Sequence, residues 1–182
     1  MSLLSRIFVA LCLLACPVLA EDVGVKVGET IPNMLVTENQ DGQMTSFDKL
    51  TGEKGAILLF TRSVDWCPYC QKQFKQWNEN AEAFTSKGYN IIGITHEPPA
   101  TIAKFHQANH ISYPILSDKG ASIVKAFGIL NTEFAPDHRF YGVPYPTVYV
   151  TNNVGRITHR YAEDGFKARP DIGEVKRDLF GK

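Results

Sequence analysis

Cys67 and Cys70, in the run Phe60-Thr61-Arg62-Ser63-Val64-Asp65-Trp66-Cys67-Pro68-Tyr69-Cys70-Gln71, constrain this chain more than any other feature. The residues before the pair, Ala56-Ile57-Leu58-Leu59-Phe60, form an uninterrupted apolar run with the length of a buried strand. After it, Cys70, Phe74, Trp77, Ala81 and Phe84 recur at intervals of three and four, which predicts a helix with one face against a sheet, ending near Lys87-Gly88. Pro68 suits the first helical turn, where its missing N–H would have no intrahelical partner anyway. Cys67 then falls at the helix N-terminus, where exposed amides and the macrodipole favour a thiolate. Cys70, one turn on, can close a disulfide with it.

The first twenty residues read as a targeting segment. Arg6 supplies a positive start, residues 7–15 are apolar but too short to span a bilayer, and Val18-Leu19-Ala20 offers small residues for cleavage before Glu21. The competing reading is a lipoprotein signal with Cys16 lipidated, against which stand Pro17 and Leu14. With cleavage, the location expected is periplasmic or secreted. Cys12 and Cys16 leave with the signal, so Cys67 and Cys70 remain as the only cysteines. A bridge across two residues closes almost no loop and is a poor device for constraining an unfolded chain, which favours a redox role over a structural one. A zinc site would need two further ligands at suitable spacing, and the five histidines provide no such pattern. Neither a metal nor an organic cofactor is therefore expected.

Removing twenty residues from 182 leaves 162, enough for a single domain with a full core. Of the charged residues only Arg6 is lost, leaving 18 basic and 19 acidic side chains; no basic stripe suggests nucleic acid. Asp41-Gly42 between short apolar-containing segments predicts an N-terminal hairpin. A second strand is expected over residues 89–95, and a helix over residues 100–109 with Ile102, Phe105 and Ala108 inward. A short strand follows at residues 114–116, then a helix capped by Ser117 and closed by Gly128. Residues 131–145 are turn-rich and read as a surface loop. Residues 147–150 and 156–161 make a late hairpin, and a last helix spans residues 171–179 with Ile172, Val175 and Leu179 on one side. This order implies an α/β domain with a mixed central sheet flanked by helices.

Trp66-Cys67-Pro68-Tyr69-Cys70 resembles the Trp-Cys-x-x-Cys site of the redoxins, the alkyl hydroperoxide reductase/thiol-specific antioxidant group of the thioredoxin superfamily. Val27-Gly28-Glu29-Thr30-Ile31-Pro32, Tyr113-Pro114-Ile115-Leu116-Ser117-Asp118 and Gly142-Val143-Pro144-Tyr145-Pro146-Thr147 resemble further segments of that group, in the same order. The resemblance implies a thioredoxin-like fold with an N-terminal β-hairpin extension. It also makes Pro146 the counterpart of a cis-proline facing the cysteines, so that the backbone of Tyr145 is offered to a substrate chain as an added strand. Trp66 is expected to pack beside the site.

Two chemistries use this scaffold. Peroxiredoxins resemble one another in a Pro-x-x-x-Thr/Ser-x-x-Cys motif, but Phe60 and Val64 occupy its two leading positions here. Arg62 is a substitute candidate for stabilising a thiolate or polarising a peroxide. For thiol–disulfide exchange the parts are complete, with Cys67 as nucleophile and Cys70 as resolving thiol, and Pro-Tyr between the cysteines resembles glutaredoxins. The same pair could reduce a peroxide through a sulfenic acid on Cys67. Expected partners are protein or small-molecule disulfides, or peroxides, together with an envelope thiol reductant. A redox-inert binding module on the same fold is the third alternative.

Overall fold

The structure is a computed structural model that describes residues 23–163 and 168–181. The expected signal segment and its cleavage point lie outside the described residues. Five strands form the central sheet: β3 (Gly55–Phe60), β4 (Tyr89–Thr95), β5 (Ile115–Ser117), β6 (Thr147–Asn152) and β7 (Ile157–Ala162), in the order β5-β4-β3-β6-β7. β3, β4 and β5 run parallel, while β6 and β7 are antiparallel additions, so the sheet is mixed as anticipated.

Alternation along β3 divides the core. Ile57 and Leu59 point to a cluster with Phe74, Trp77, Phe84, Ile102, Phe105 and Val175. Ala56, Leu58 and Phe60 point the other way, toward Leu35, Phe47, Ile123, Phe127 and Tyr149. All six β3 residues are buried, which is why the strand reads as a continuous apolar run rather than an alternating one. The first face is covered by α2 (Pro68–Glu79), α3 (Ala81–Thr85), α4 (Pro99–Ala108) and α6 (Ile172–Phe180); the second by α1 (Phe47–Leu50) and α5 (Ser122–Ala126). Gly93 of β4 permits close packing on the first face, because a Cβ there would lie 2.5 Å from a ring carbon of Phe74.

The expected hairpin is present but minimal: β1 (Thr37–Glu38) pairs with β2 (Met44–Thr45) around the Asp41-Gly42 turn. It covers the edge of β5. Thr37 Oγ1 donates to Ser117 O, and the Ile115 N–H donates to Gln40 Oε1, so an edge that would otherwise present unpaired amides is closed by the chain itself.

Three local expectations are corrected. The helix after the cysteines breaks at Asn80 (φ −106°, ψ 0°) into α2 and α3 before reaching Gly88, whose positive φ of 87° turns the chain into β4. Ser117 belongs to β5 and does not cap the next helix. The first amides of that helix are met instead by Asp118, whose carboxylate accepts the N–H groups of Ile123 and Val124 at 2.9 and 2.8 Å, while the N-cap position itself is Ala121, whose side chain makes no capping bond. Ala108 is exposed at the end of α4, where the final half-turn rotates away from the core formed by Ile102 and Phe105.

Candidate active site

The parallel pairing of β3 with β4 and the antiparallel pairing of β3 with β6 bring three chain segments to one end of the sheet. Phe60 lies opposite Ile94 on one side and Thr147 on the other. The loop after β3, the residues after β4 and the residues before β6 therefore converge, at the carboxyl ends of the parallel strands where sites on such sheets form.

The loop from Thr61 to Trp66 is held by its own side chains. Ser63 Oγ accepts the N–H groups of Asp65 and Trp66 at 3.0 and 3.1 Å, and Gln71 Nε2 donates to the carbonyls of Val64 and Asp65. This fixes Cys67 as the N-cap of α2, with Pro68 in the first turn. Cys67 and Cys70 are joined by a disulfide with their Cα atoms 5.3 Å apart. The Cys70 N–H donates to Cys67 Sγ at 3.3 Å, so the helix N-terminus reaches the first sulfur directly. Cys67 is 2% exposed and Cys70 wholly buried.

Trp66, half-buried, stacks on Phe140 with centroids 4.3 Å apart and meets the His96 ring edge-on. Phe140 belongs to the turn-rich segment after Leu130, a largely exposed surface loop as expected, which lays this one ring against Trp66. Arg62 is buried rather than a solvated loop charge. Its guanidinium lies 5.0 Å from the centre of the Trp66 ring, and burial lowers its pKa against the raising influence of Glu133. Asp65 is exposed.

Pro146 is buried and Tyr145 half-buried at the entry to β6. The expected cis bond is absent: no cis peptide occurs among the described residues. The trans form is the lower-energy default for a prolyl bond. Here Leu130 bridges to Pro144, and the Tyr145 N–H donates to Ile129 O at 2.8 Å. The amide that was expected to meet a substrate strand is satisfied within the chain. The Tyr145 carbonyl likewise accepts Thr147 Oγ1 at 3.0 Å.

Two site residues escaped the sequence reading. Glu97, 6% exposed, sits just beyond β4. Its carboxylate accepts Thr95 Oγ1 and the Val64 N–H, and lies 3.3 Å from His96 Nε2. Burial pushes its pKa up, but the hydrogen bond and charge of His96, with hydrogen bonds from Ser63 and Thr95, prevail and hold it below the ordinary carboxyl range. An ionised form favoured by the fold stabilises it above the ordinary carboxyl pKa, and that contribution is lost as pH falls through the depressed folded value. Glu97→Gln is thus expected to cost about 1–3 kcal/mol at neutral pH, with the gap to the native protein closing in acid. Urea titrations at several pH values measure this, and a constant gap would refute it.

The second is Arg169, from the segment leading into α6. Its Nη2 donates to Cys70 Sγ at 3.3 Å, across 99 residues of sequence. Burial, and then the nearby charge of Arg62, lower its pKa to about 10. No local signal marks it: an Arg-Pro-Asp run before a helix reads only as a capped start, which Asp171 provides by accepting the Gly173 N–H.

The chain is similar in sequence and in fold to known proteins. The chain is 26% identical over 155 residues to a chloroplastic peroxiredoxin Q of Oryza sativa subsp. japonica, covering 85% of this chain and 67% of that protein. It is 25% identical over 134 residues to the thiol-disulfide oxidoreductase ResA of Bacillus cereus, covering 73% and 68%. The fold matches the crystal structure of peroxidoxin BcpB from Mycobacterium tuberculosis with a TM-score of 0.69 at 20% identity, over 78% of this chain and 88% of that one. The sequence model of the AhpC/TSA family matches residues 27–160, taking in the strand, the loop and the cysteine-bearing helix that build the site, and on that span the protein belongs to the AhpC/TSA family.

Proposed function

We propose that this member of a thiol-dependent oxidoreductase family is an exported thiol–disulfide oxidoreductase cycling between a Cys67/Cys70 dithiol and disulfide. The observation that carries this reading is the Cys67–Cys70 bridge at the N-terminus of α2, with apolar Val64 and Phe60 where a peroxide-binding motif would place its hydroxyl and proline. The helix amides stabilise the Cys67 thiolate. That thiolate attacks one sulfur of a substrate disulfide, forming a mixed disulfide and releasing the other substrate sulfur as a thiolate that takes a proton. Cys70 then attacks Cys67 Sγ, expels the second substrate thiol, and leaves the Cys67–Cys70 disulfide. The substrate gains two electrons, which an envelope thiol reductant must return to the pair. Trp66 and Phe140 wall the approach to the bridge.

Reduction of a peroxide is the second reading, favoured by the similarity to a peroxiredoxin Q. In it Cys67 attacks a peroxide oxygen and becomes a sulfenic acid as water or an alcohol leaves; Cys70 condenses with it and a second water departs. Both readings use the same sulfurs and differ in what occupies the space beside Cys67.

One experiment separates them. Protein recovered from the cell envelope, with an intact mass that reports cleavage before Glu21, is reduced and mixed in a stopped-flow instrument with hydrogen peroxide or with oxidised glutathione. Fluorescence of Trp66 is the signal. We expect a Cys67-dependent change with the disulfide, and a rate with peroxide no greater than that of an ordinary thiol. A peroxide reaction many orders faster than a simple thiol gives the peroxidase reading the field. A full-length chain retained in the cytosol would refute export.

A further inference from the structure

We propose that Arg169 is a catalytic residue dedicated to Cys70, stabilising its thiolate as leaving group and as resolving nucleophile. The inference rests on the reading that the Cys67–Cys70 pair cycles, but holds for either oxidant. Cys70 is wholly buried, and a buried thiol resists ionisation because its thiolate loses solvation. The helix N-terminus does not remedy this, since its nearest amide is spent on Cys67 Sγ. What reaches Cys70 Sγ is the Arg169 guanidinium at 3.3 Å.

The tether that brings it there is built into the fold. Pro170 is buried, Asp171 caps α6, Val175 anchors α6 in the core, and Lys176 Nζ donates to Asn80 Oδ1 at the junction of α2 and α3. Arg169 is thereby held against the cysteine-bearing helix. Among the described residues, Arg62 lies close enough to Arg169 to lower its pKa, and is itself influenced by Glu133. A guanidinium at hydrogen-bond distance favours a negative charge on Cys70 over the neutral thiol.

The consequence falls on both half-reactions. When a reducing thiolate attacks Cys67 Sγ, the S–S bond breaks and its electron pair leaves on Cys70, paired with Arg169; a second thiol then attacks the mixed disulfide and releases Cys67, so that two thiols are oxidised to one disulfide. In the other direction, Cys70 attacks as a thiolate already present instead of waiting to lose a proton. A lower leaving-group pKa speeds disulfide opening.

The test reads the sulfur itself and requires no turnover. In reduced mature protein carrying Cys67→Ser, thiolate absorbance at 240 nm is titrated with pH for the Arg169 parent, Arg169→Met and Arg169→Lys. Loss of the adjacent cation should raise the Cys70 pKa by roughly 1–3 units in the Met variant, with Lys recovering most of it. With both cysteines present, opening of the disulfide by dithiothreitol should slow about tenfold or more in Arg169→Met. Should the Met variant fail to fold, Arg169→Gln, a donor without charge, carries the same comparison. An unchanged Cys70 pKa in a folded Met or Gln variant overturns the proposal, and so does a Lys variant no better than Met. Failure of the exchange reading would appear only in the stopped-flow experiment and would leave these titrations as they are.

Discussion

Protein carrying Cys67→Ser is expected to lose turnover of disulfides and peroxides alike, by more than about a thousandfold, while remaining folded. A serine hydroxyl at the α2 N-cap can still accept the residue 70 amide, so the helix start survives, but no thiolate exists to attack. Cys70→Ser should behave differently. It leaves the Cys67 thiolate and its helix-terminal stabilisation intact and removes only resolution, so one equivalent of substrate disulfide should be captured as a mixed disulfide. Non-reducing electrophoresis and intact mass spectrometry distinguish the two. If Cys67→Ser forms the trapped adduct and Cys70→Ser is inert, the roles of the two cysteines are reversed.

The second large effect lies beneath the site. Phe74 is four residues beyond Cys70, fully buried, with ring centroids 5.8 Å from Phe105 and 6.4 Å from Tyr113. Its backbone carbonyl also accepts the Tyr113 hydroxyl at 2.8 Å. Phe74→Ala removes an aromatic ring from a close-packed layer that includes the glycine surface of β4, and the sheet cannot collapse into the vacancy. The cost expected is about 3–5 kcal/mol, a large share of the roughly 5–15 kcal/mol that keeps a domain folded. For a chain of this size that amounts to a fall in Tm of about 10 °C or more. Phe74→Leu, which retains much of the volume, should cost markedly less. A calorimetric loss below about 1 kcal/mol for the alanine variant would mean that α2 is not fastened to the sheet through this ring.

Much of the fold is legible in the sequence because it depends on local periodicity. The apolar run in β3, the isoleucines of β4 and the three-and-four spacing of Phe74, Trp77 and Phe84 each announce an element and its buried face without reference to distant residues. Where reading fails, neighbours compete. Ser117 is a sound N-cap by residue type, but it is taken up by pairing with Thr95 in the β4–β5 ladder, and the neighbouring Asp118 carboxylate reaches the first amides of α5 instead. The helix break at Asn80 is masked because Ala81 and Phe84 continue the apolar spacing across it. The Tyr145 N–H is taken by Ile129 O, sixteen residues upstream, a partner that nothing near the proline reveals.

By itself the sequence determined the dithiol, its place between a buried strand and a helix, and the mixed α/β architecture, since all three follow from residue type and spacing along a continuous segment. Tertiary structure alone decided which side chains gather around the cysteine-bearing loop and helix. Glu97 arrives through the pairing of β4 with β3, Phe140 through the fold-back of the segment before β6, and Arg169 through the docking of α6 against α2. Electrostatic influence depends on distance and burial, and neither is encoded by separation along the chain: the guanidinium that meets Cys70 is 99 residues away, while Asp65, two residues from Cys67, lies in solvent.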